Sequence, residues 1–195
     1  MNKVSSLLCV FVLLLVGCGK PDGMETGWYE SGQKSSETNY VDGKLHGLST
    51  GWYENGQKKS EVNYKDGKLH GLSTEWHANG QKKSEDNYKD GELHGGFTGW
   101  HENGQKWIES TFKDGELHGL HTTWHENGQK QSELNYYKDG EKHGLETWWD
   151  ENGQKRRETN WKDGEKHGLE TDWYEDGDLA RQCKYANGEL VEEIK

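Results

Sequence analysis

The sequence predicts an all-β chain: an elongated single-layer antiparallel meander of stacked β-hairpin repeats, twisted into a ribbon. Three observations predict it. Tryptophan recurs at Trp28, Trp52, Trp76, Trp100, Trp124, Trp149 and Trp173, each step being 24 residues except one of 25. Two glycine turns fall twelve or so residues apart in every period, Asn55-Gly56 and Asp66-Gly67 in the second copy. Only 29% of the 195 residues are hydrophobic and the mean hydropathy is -1.24, too little for a thick two-layer core. Such a composition would ordinarily suggest disorder, but 10 Trp, 9 Tyr and 27 Gly at fixed intervals argue for a thin, repeated order.

Residues 1–17 stand apart from the repeats. Lys3 supplies a basic start, and the apolar run LLCVFVLLLVG follows; it is too short for a membrane span and reads as a secretory signal. The run ends in Leu15-Val16-Gly17-Cys18, which resembles the lipobox of bacterial lipoproteins. That resemblance implies cleavage before Cys18 and acylation of its thiol and amine. Several acyl chains on one residue give the stable anchoring that a single chain does not. An ordinary cleaved signal with an incidental cysteine is the plainer alternative. Residues 18–26 then form the acylated cysteine and a short linker. Gly19 stands where inner-membrane retention would call for Asp, so the expected location is the outer membrane and periplasm, or the cell surface. Cys9 lies in the removed segment, which leaves Cys183 as a lone thiol and excludes a disulfide framework.

The whole chain carries a formal charge of -11, and removal of residues 1–17 takes one Lys with it. This acidity argues against nucleic acid as a partner.

From residue 27 to residue 195 the chain reads as seven repeats. Asn-Gly and Asp-Gly between short runs of Trp, Tyr and Thr are strong hairpin signals, because glycine supplies positive φ without steric cost. About thirteen short strands are expected. With a three-residue loop at each turn, Leu48, Thr50 and Trp52 are predicted to share a face with Lys58, Ser60, Val62, Tyr64 and His70. Ser49, Gly51, Tyr53, Lys59, Glu61 and Asn63 are predicted to form the other, polar face. On this reading Trp28, Trp52, Trp76, Trp100, Trp124, Trp149 and Trp173 build one buried stripe with a Tyr-like ring, a Leu and a His from each unit. The last unit has Val191-Glu192 in place of His-Gly, and its charged tail is expected to cap the array against end-to-end pairing.

The turn itself is copied along the chain as YVDGKLHG from Tyr40, YKDGKLHG from Tyr64, YKDGELHG from Tyr88, FKDGELHG from Phe112 and WKDGEKHG from Trp161. Together with the following Thr/Trp/Tyr strand and N-G-Q, it resembles the MORN repeat, and more closely the bacterial MORN-variant repeat of proteins labelled YwqK-type antitoxins. The resemblance covers nearly all of the chain after residue 26. The usual second glycine after His-Gly is replaced by Thr50, Thr74 and Thr98, which favours the variant form. The resemblance implies an elongated sheet used for protein contact, dimerisation or membrane association. The antitoxin label implies a bound and silenced toxin as partner, and the lipobox would turn that role into immunity against an exported toxin. Homo-oligomerisation remains open.

His46, His70, His94, His118, His143 and His167 form a ladder, one per unit. Residues one unit apart are separated by two strand spacings, about 9.5 Å, too far for one zinc to collect two imidazoles. A structural role is expected, each ring bonding the turn that follows. Glu37, Glu61, Glu85, Glu109, Glu133 and Glu158 form a second ladder, expected to pair with Lys34, Lys58, Lys82 and Lys59 rather than to act as catalytic carboxylates. No nucleophile motif or phosphate loop stands out, so neither enzyme activity nor a cofactor or metal is expected.

The expected activity is protein binding by a membrane-anchored scaffold, through the polar face and the rings at Tyr29, Tyr53, His77, His101, His125 and Tyr174. The alternative is an aromatic cage for a cell-wall glycan or choline-like ligand, since G-W-Y-E-N-G is similar to choline- and glycan-binding hairpin repeats.

Overall fold

The computed structural model describes residues 21–136 and 140–195. The expected signal segment and Cys18 lie outside the described residues. Among the described residues no helix is long and apolar enough to cross a membrane.

Among the described residues seventeen strands form one sheet. In the first half these are β1 (Gly23–Trp28), β2 (Lys34–Val41), β3 (Lys44–Leu45), β4 (Gly47–Trp52), β5 (Lys58–Lys65), β6 (Lys68–Trp76), β7 (Lys82–Lys89) and β8 (Glu92–Trp100). The second half contains β9 (Lys106–Lys113), β10 (Glu116–Leu117), β11 (Gly119–Trp124), β12 (Lys130–Tyr136), β13 (Gly144–Trp149), β14 (Lys155–Lys162), β15 (Glu165–Trp173), β16 (Leu179–Ala186) and β17 (Glu189–Glu193). All pairings are antiparallel and run between successive strands, except that β3 and β4 both pair with β2 and β10 and β11 both pair with β9, so the sheet is the expected meander. The strand number exceeds the expected thirteen, partly because β3/β4 and β10/β11 are interrupted where β6 and β8 run through.

The two glycine turns differ in kind. Asp66 and Gly67 have φ of 51° and 82° and join Lys65 directly to Lys68, the two-residue hairpin that requires positive φ at both central residues. The Asn-Gly turn is a three-residue loop: Tyr53 N–H donates to the Gln57 carbonyl at 2.8 Å and Gly56 N–H to the Tyr53 carbonyl at 2.9 Å. After that loop Trp52 pairs with Lys58 but Gly51 pairs with Ser60. Lys59 is therefore an extra residue, a bulge that shifts the side-chain alternation by one.

The bulge corrects the expected faces. Leu48, Thr50, Trp52 and Lys58 share their face with Glu61 and Asn63, while Ser60, Val62 and Tyr64 lie on the other with Ser49 and Gly51. The single aromatic stripe does not form: tryptophan takes one face and the Tyr64-type ring takes the opposite one. Nor is the leucine buried, since Leu48, Leu72, Leu120, Leu145 and Leu169 are 41–49% exposed. With one layer, nothing among the described residues covers them. The described residues include just two buried hydrophobic side chains, Leu134 and Cys183, and the interior is chiefly a backbone ladder flanked by small polar groups.

Candidate interaction surface

The repeated side chains reach forward to the next unit. Tyr29 Oη donates to the Trp52 carbonyl and Tyr53 Oη to the Trp76 carbonyl, both at 2.7 Å. His77 Nε2 and His125 Nε2 make the same contact with Trp100 and Trp149 at 3.0 and 2.9 Å, which requires the Nε2-protonated ring, because a carbonyl only accepts. His101 Nε2 is buried without a partner. Tyr174, which braces no carbonyl among the described residues, is 59% exposed. The six residues picked out as recognition rings thus sit in one line beside the Asn-Gly turns, and at least four spend their polar tip on bracing the array.

Other forward contacts repeat in the same way. Asn55, Asn79 and Asn127 donate Nδ2 to the carbonyls of Ala78, Glu102 and Glu151. Lys34 Nζ lies 5.2 Å from the Trp52 ring centre, and Lys58, Lys82, Lys106 and Lys130 stand 5.7–5.9 Å over Trp76, Trp100, Trp124 and Trp149. The same lysines bond Glu37, Glu61, Glu85, Glu109 and Glu133 three residues on, as the sequence suggests. Lys59 instead lies 5.8 Å from the Tyr53 ring. Gly80 leaves the space that Gln57 fills: a Cβ there would meet Gln57 Oε1 at 2.9 Å.

The histidine ladder also points forward, towards the Asp-Gly turns. Nδ1 of His46, His70, His94 and His143 lies 3.2–3.5 Å from Oδ1 of Asp66, Asp90, Asp114 and Asp163. His167 meets the Asn187 N–H in the equivalent place; the Asp that would face His118 is outside the described residues. Among the described residues no group of three metal-ligating side chains is close enough to hold an ion.

What does not repeat lies on the tyrosine face. Straight across the sheet, the row from Thr38 to Cys183 reads Thr, Ser, Val, Ser, Asp, Phe, Ser, His, Leu, Glu, Thr, Glu, Cys. Directly behind it, the row on the tryptophan face alternates Thr and Glu from Thr26 to Thr171.

The variable row divides by chemistry. Asp86 is buried with Oδ1 lacking a partner, and burial pushes its carboxyl above the ordinary range despite a bond from Ser84. Phe97 packs edge-on to Trp107 and Phe112. His121 bonds Ser110 at 2.8 Å, and its pKa is lowered by burial and then by Lys142. Further on, Glu146 accepts from Lys142 and from Trp161 Nε1. Glu170 is 2% exposed and holds Lys166 and Arg181. Asp172 bonds Arg157 and Arg181; burial alone would raise its pKa, but the two guanidiniums hold it low.

Two tryptophans that the sequence reading did not pick out stand on this face, Trp107 and Trp148, 39% and 40% exposed. Trp107 replaces the Lys59, Lys83 and Gln131 of other units, and its indole fills the space left by Gly99, where a Cβ would meet Nε1 at 2.5 Å. Their signal in the sequence is that they break the 24-residue period.

The chain is an open β-repeat array, with a constant Thr/Glu row on one face and a varied row behind it. Seven successive segments, 21–42, 45–66, 69–90, 93–114, 117–139, 142–163 and 166–187, match the MORN repeat variant. The chain belongs to that family, whose repeats generally serve as protein- or membrane-binding scaffolds. No curated protein matches the chain.

Proposed function

We propose that this chain is a non-enzymatic, membrane-anchored scaffold that binds another protein through its tyrosine face, held at the membrane by an acylated Cys18. The supporting observation is the division of labour between the faces. The recurring Tyr53-type rings, Asn55-type amides and Lys58-type ammonium groups are used in joining one unit to the next, whereas the tyrosine face carries in addition the non-repeating, exposed Trp107 and Trp148, the residue type most enriched at binding hot spots. The rings at His77, His101, His125 and Tyr174 border this surface and contribute contact area, as Tyr29 and Tyr53 do in the first units. A toxin silenced by the scaffold is the special case suggested by the antitoxin-like repeats. An aromatic cage is the weaker reading, because lysine ammonium groups already stand over five of the repeat tryptophans.

The test is a pull-down from detergent-solubilised membranes with the acylated chain and a Cys18→Ala form. A protein retained reproducibly by both supports the scaffold. Retention of cell-wall fragments and no protein would contradict it.

A further inference from the structure

The margin of the tyrosine face beside the Asn-Gly turns holds three hollows related by the repeat. The first, of about 620 Å³, lies between Lys83, Trp100 and Trp107. The second, about 470 Å³, is its copy one unit on, between Trp107, Trp124 and Gln131. A third, about 570 Å³, lies two units further, between Arg156, Trp173 and Ala180, with Trp148 at its wall. Trp107 is the partition between the first two.

The spacing of these hollows selects the form of what fills them. One unit is two strand separations, about 9.5 Å. A polyproline II segment returns to the same face every three residues, about 9.3 Å. An α-helix repeats its face after two turns, about 10.8 Å, and drifts by about 4 Å over the three units between first and last hollow. A β-strand returns every second residue, about 6.7 Å, and misses the unit period altogether. Polyproline II stays within about 1 Å over the same length, and aromatic-lined grooves are how such segments are bound.

Charge settles the rest. Exposed Glu102, Glu126 and Glu151 border the first two hollows, and among the described residues none of them has an ion-pair partner. Lys83 at the same place is already bonded to Glu75, and Arg156 is paired with Asp150. The free charge along the margin is therefore negative, within a chain of net charge -11.

We infer that this margin binds an extended, proline-rich segment of a partner protein carrying lysine or arginine every third residue, with prolines in the hollows against Trp107 and Trp148 and basic groups beside Glu102, Glu126 and Glu151. The inference rests on the scaffold reading and names the partner's chemistry. The probe is the peptide (Pro-Pro-Lys)4, titrated into the full chain in detergent and followed by tryptophan fluorescence. The control peptide (Gly-Gly-Lys)4 keeps the charge and loses the preset helix. The variants Trp107→Gln and Trp148→Thr install the residues that other units hold at these positions, Gln131 and Thr123, so the fold is kept; unchanged circular dichroism and melting verify this.

The expected result is saturable binding of (Pro-Pro-Lys)4, at least tenfold weaker for (Gly-Gly-Lys)4, at least tenfold weaker in Trp107→Gln, and weakened by Glu126→Gln. Equal binding of the two peptides, or indifference to both tryptophan variants, would overturn the inference. So would no binding of (Pro-Pro-Lys)4 while the pull-down still retains a protein. A pull-down that retains no protein would sink the scaffold reading itself.

Discussion

The two faces of this sheet are made from alternate residues of the same strands, yet their central rows obey opposite rules. On the tryptophan face Thr74 lies between Glu61 and Glu85, and the same Thr and Glu recur unit after unit. One residue away, Ser73 lies between Val62 and Asp86, and the corresponding positions further on are Phe97, Ser110, His121 and Leu134. The strands cannot account for the difference, because both sets share one backbone. What differs is the task. A repeat stacks only if each unit offers its neighbour the same donors and rings, so the groups that join units must be constant. The side chains that take no part in joining are free to differ, and selection by a partner can act on them.

Substitutions that respect or violate this division should separate the faces. Trp76→Ala removes the ring under Lys58 and half-buried apolar area, and is expected to cost about 2–3 kcal/mol, seen as a fall in the denaturant midpoint. Val62→Ser, which copies Ser110 on the variable row, should cost clearly less, about 1 kcal/mol. Equal losses would break the comparison.

Glu170→Gln tests the exception, a variable position that has acquired its own network. It leaves Lys166 and Arg181 without their buried carboxylate, and about 2 kcal/mol is expected, less than for fully buried partners because both cations are partly exposed. Denaturant titration at pH 7 measures it, and a loss under 0.5 kcal/mol, roughly that of a surface pair, would show the network to be slack.

Asp86→Ser should go the other way. The folded carboxyl has a raised pKa, so the folded chain binds the proton more tightly than the unfolded one. Stability from this group is greatest below the unfolded pKa and is lost as pH rises through the window up to the raised folded value. The substitution is expected to stabilise by about 1 kcal/mol at pH 7 and to flatten that part of the pH profile. His121 has the opposite sign. Its lowered pKa means stability is held above about pH 6.5 and lost as pH falls towards the folded value; His121→Ser should remove that acid-side loss in a series of thermal melts.

The smallest effect compares one residue type at two places. Tyr53→Phe loses the bond to the Trp76 carbonyl, about 1 kcal/mol, whereas Tyr174→Phe should be silent because the 59% exposed Tyr174 braces no carbonyl among the described residues. A loss at Tyr174 would mean that forward bracing is not what these rings do.

The period, the two turns, the single layer and the Lys-Glu pairs were legible from spacing alone. The faces were not, because they hang on Lys59: one bulged residue reverses the alternation after it, and Trp52 and Tyr64 part company. The bracing role of Tyr53 and His77 was hidden for a different reason, since a ring that repeats beside a turn looks the same whether its tip meets solvent or the next unit's carbonyl. Trp107 and Trp148 carry a readable signal, departure from the period, but a search for what recurs passes over it.

The most direct test of the account is to measure partner retention from solubilised membranes and melting temperature together for the double variant Trp107→Gln, Trp148→Thr. The division between faces predicts that the partner is lost while the melting temperature stays within about 2 °C of the parent, as surface changes of about 0.5 kcal/mol allow. Undiminished retention, or a melting temperature that falls as far as in Trp76→Ala, would contradict it.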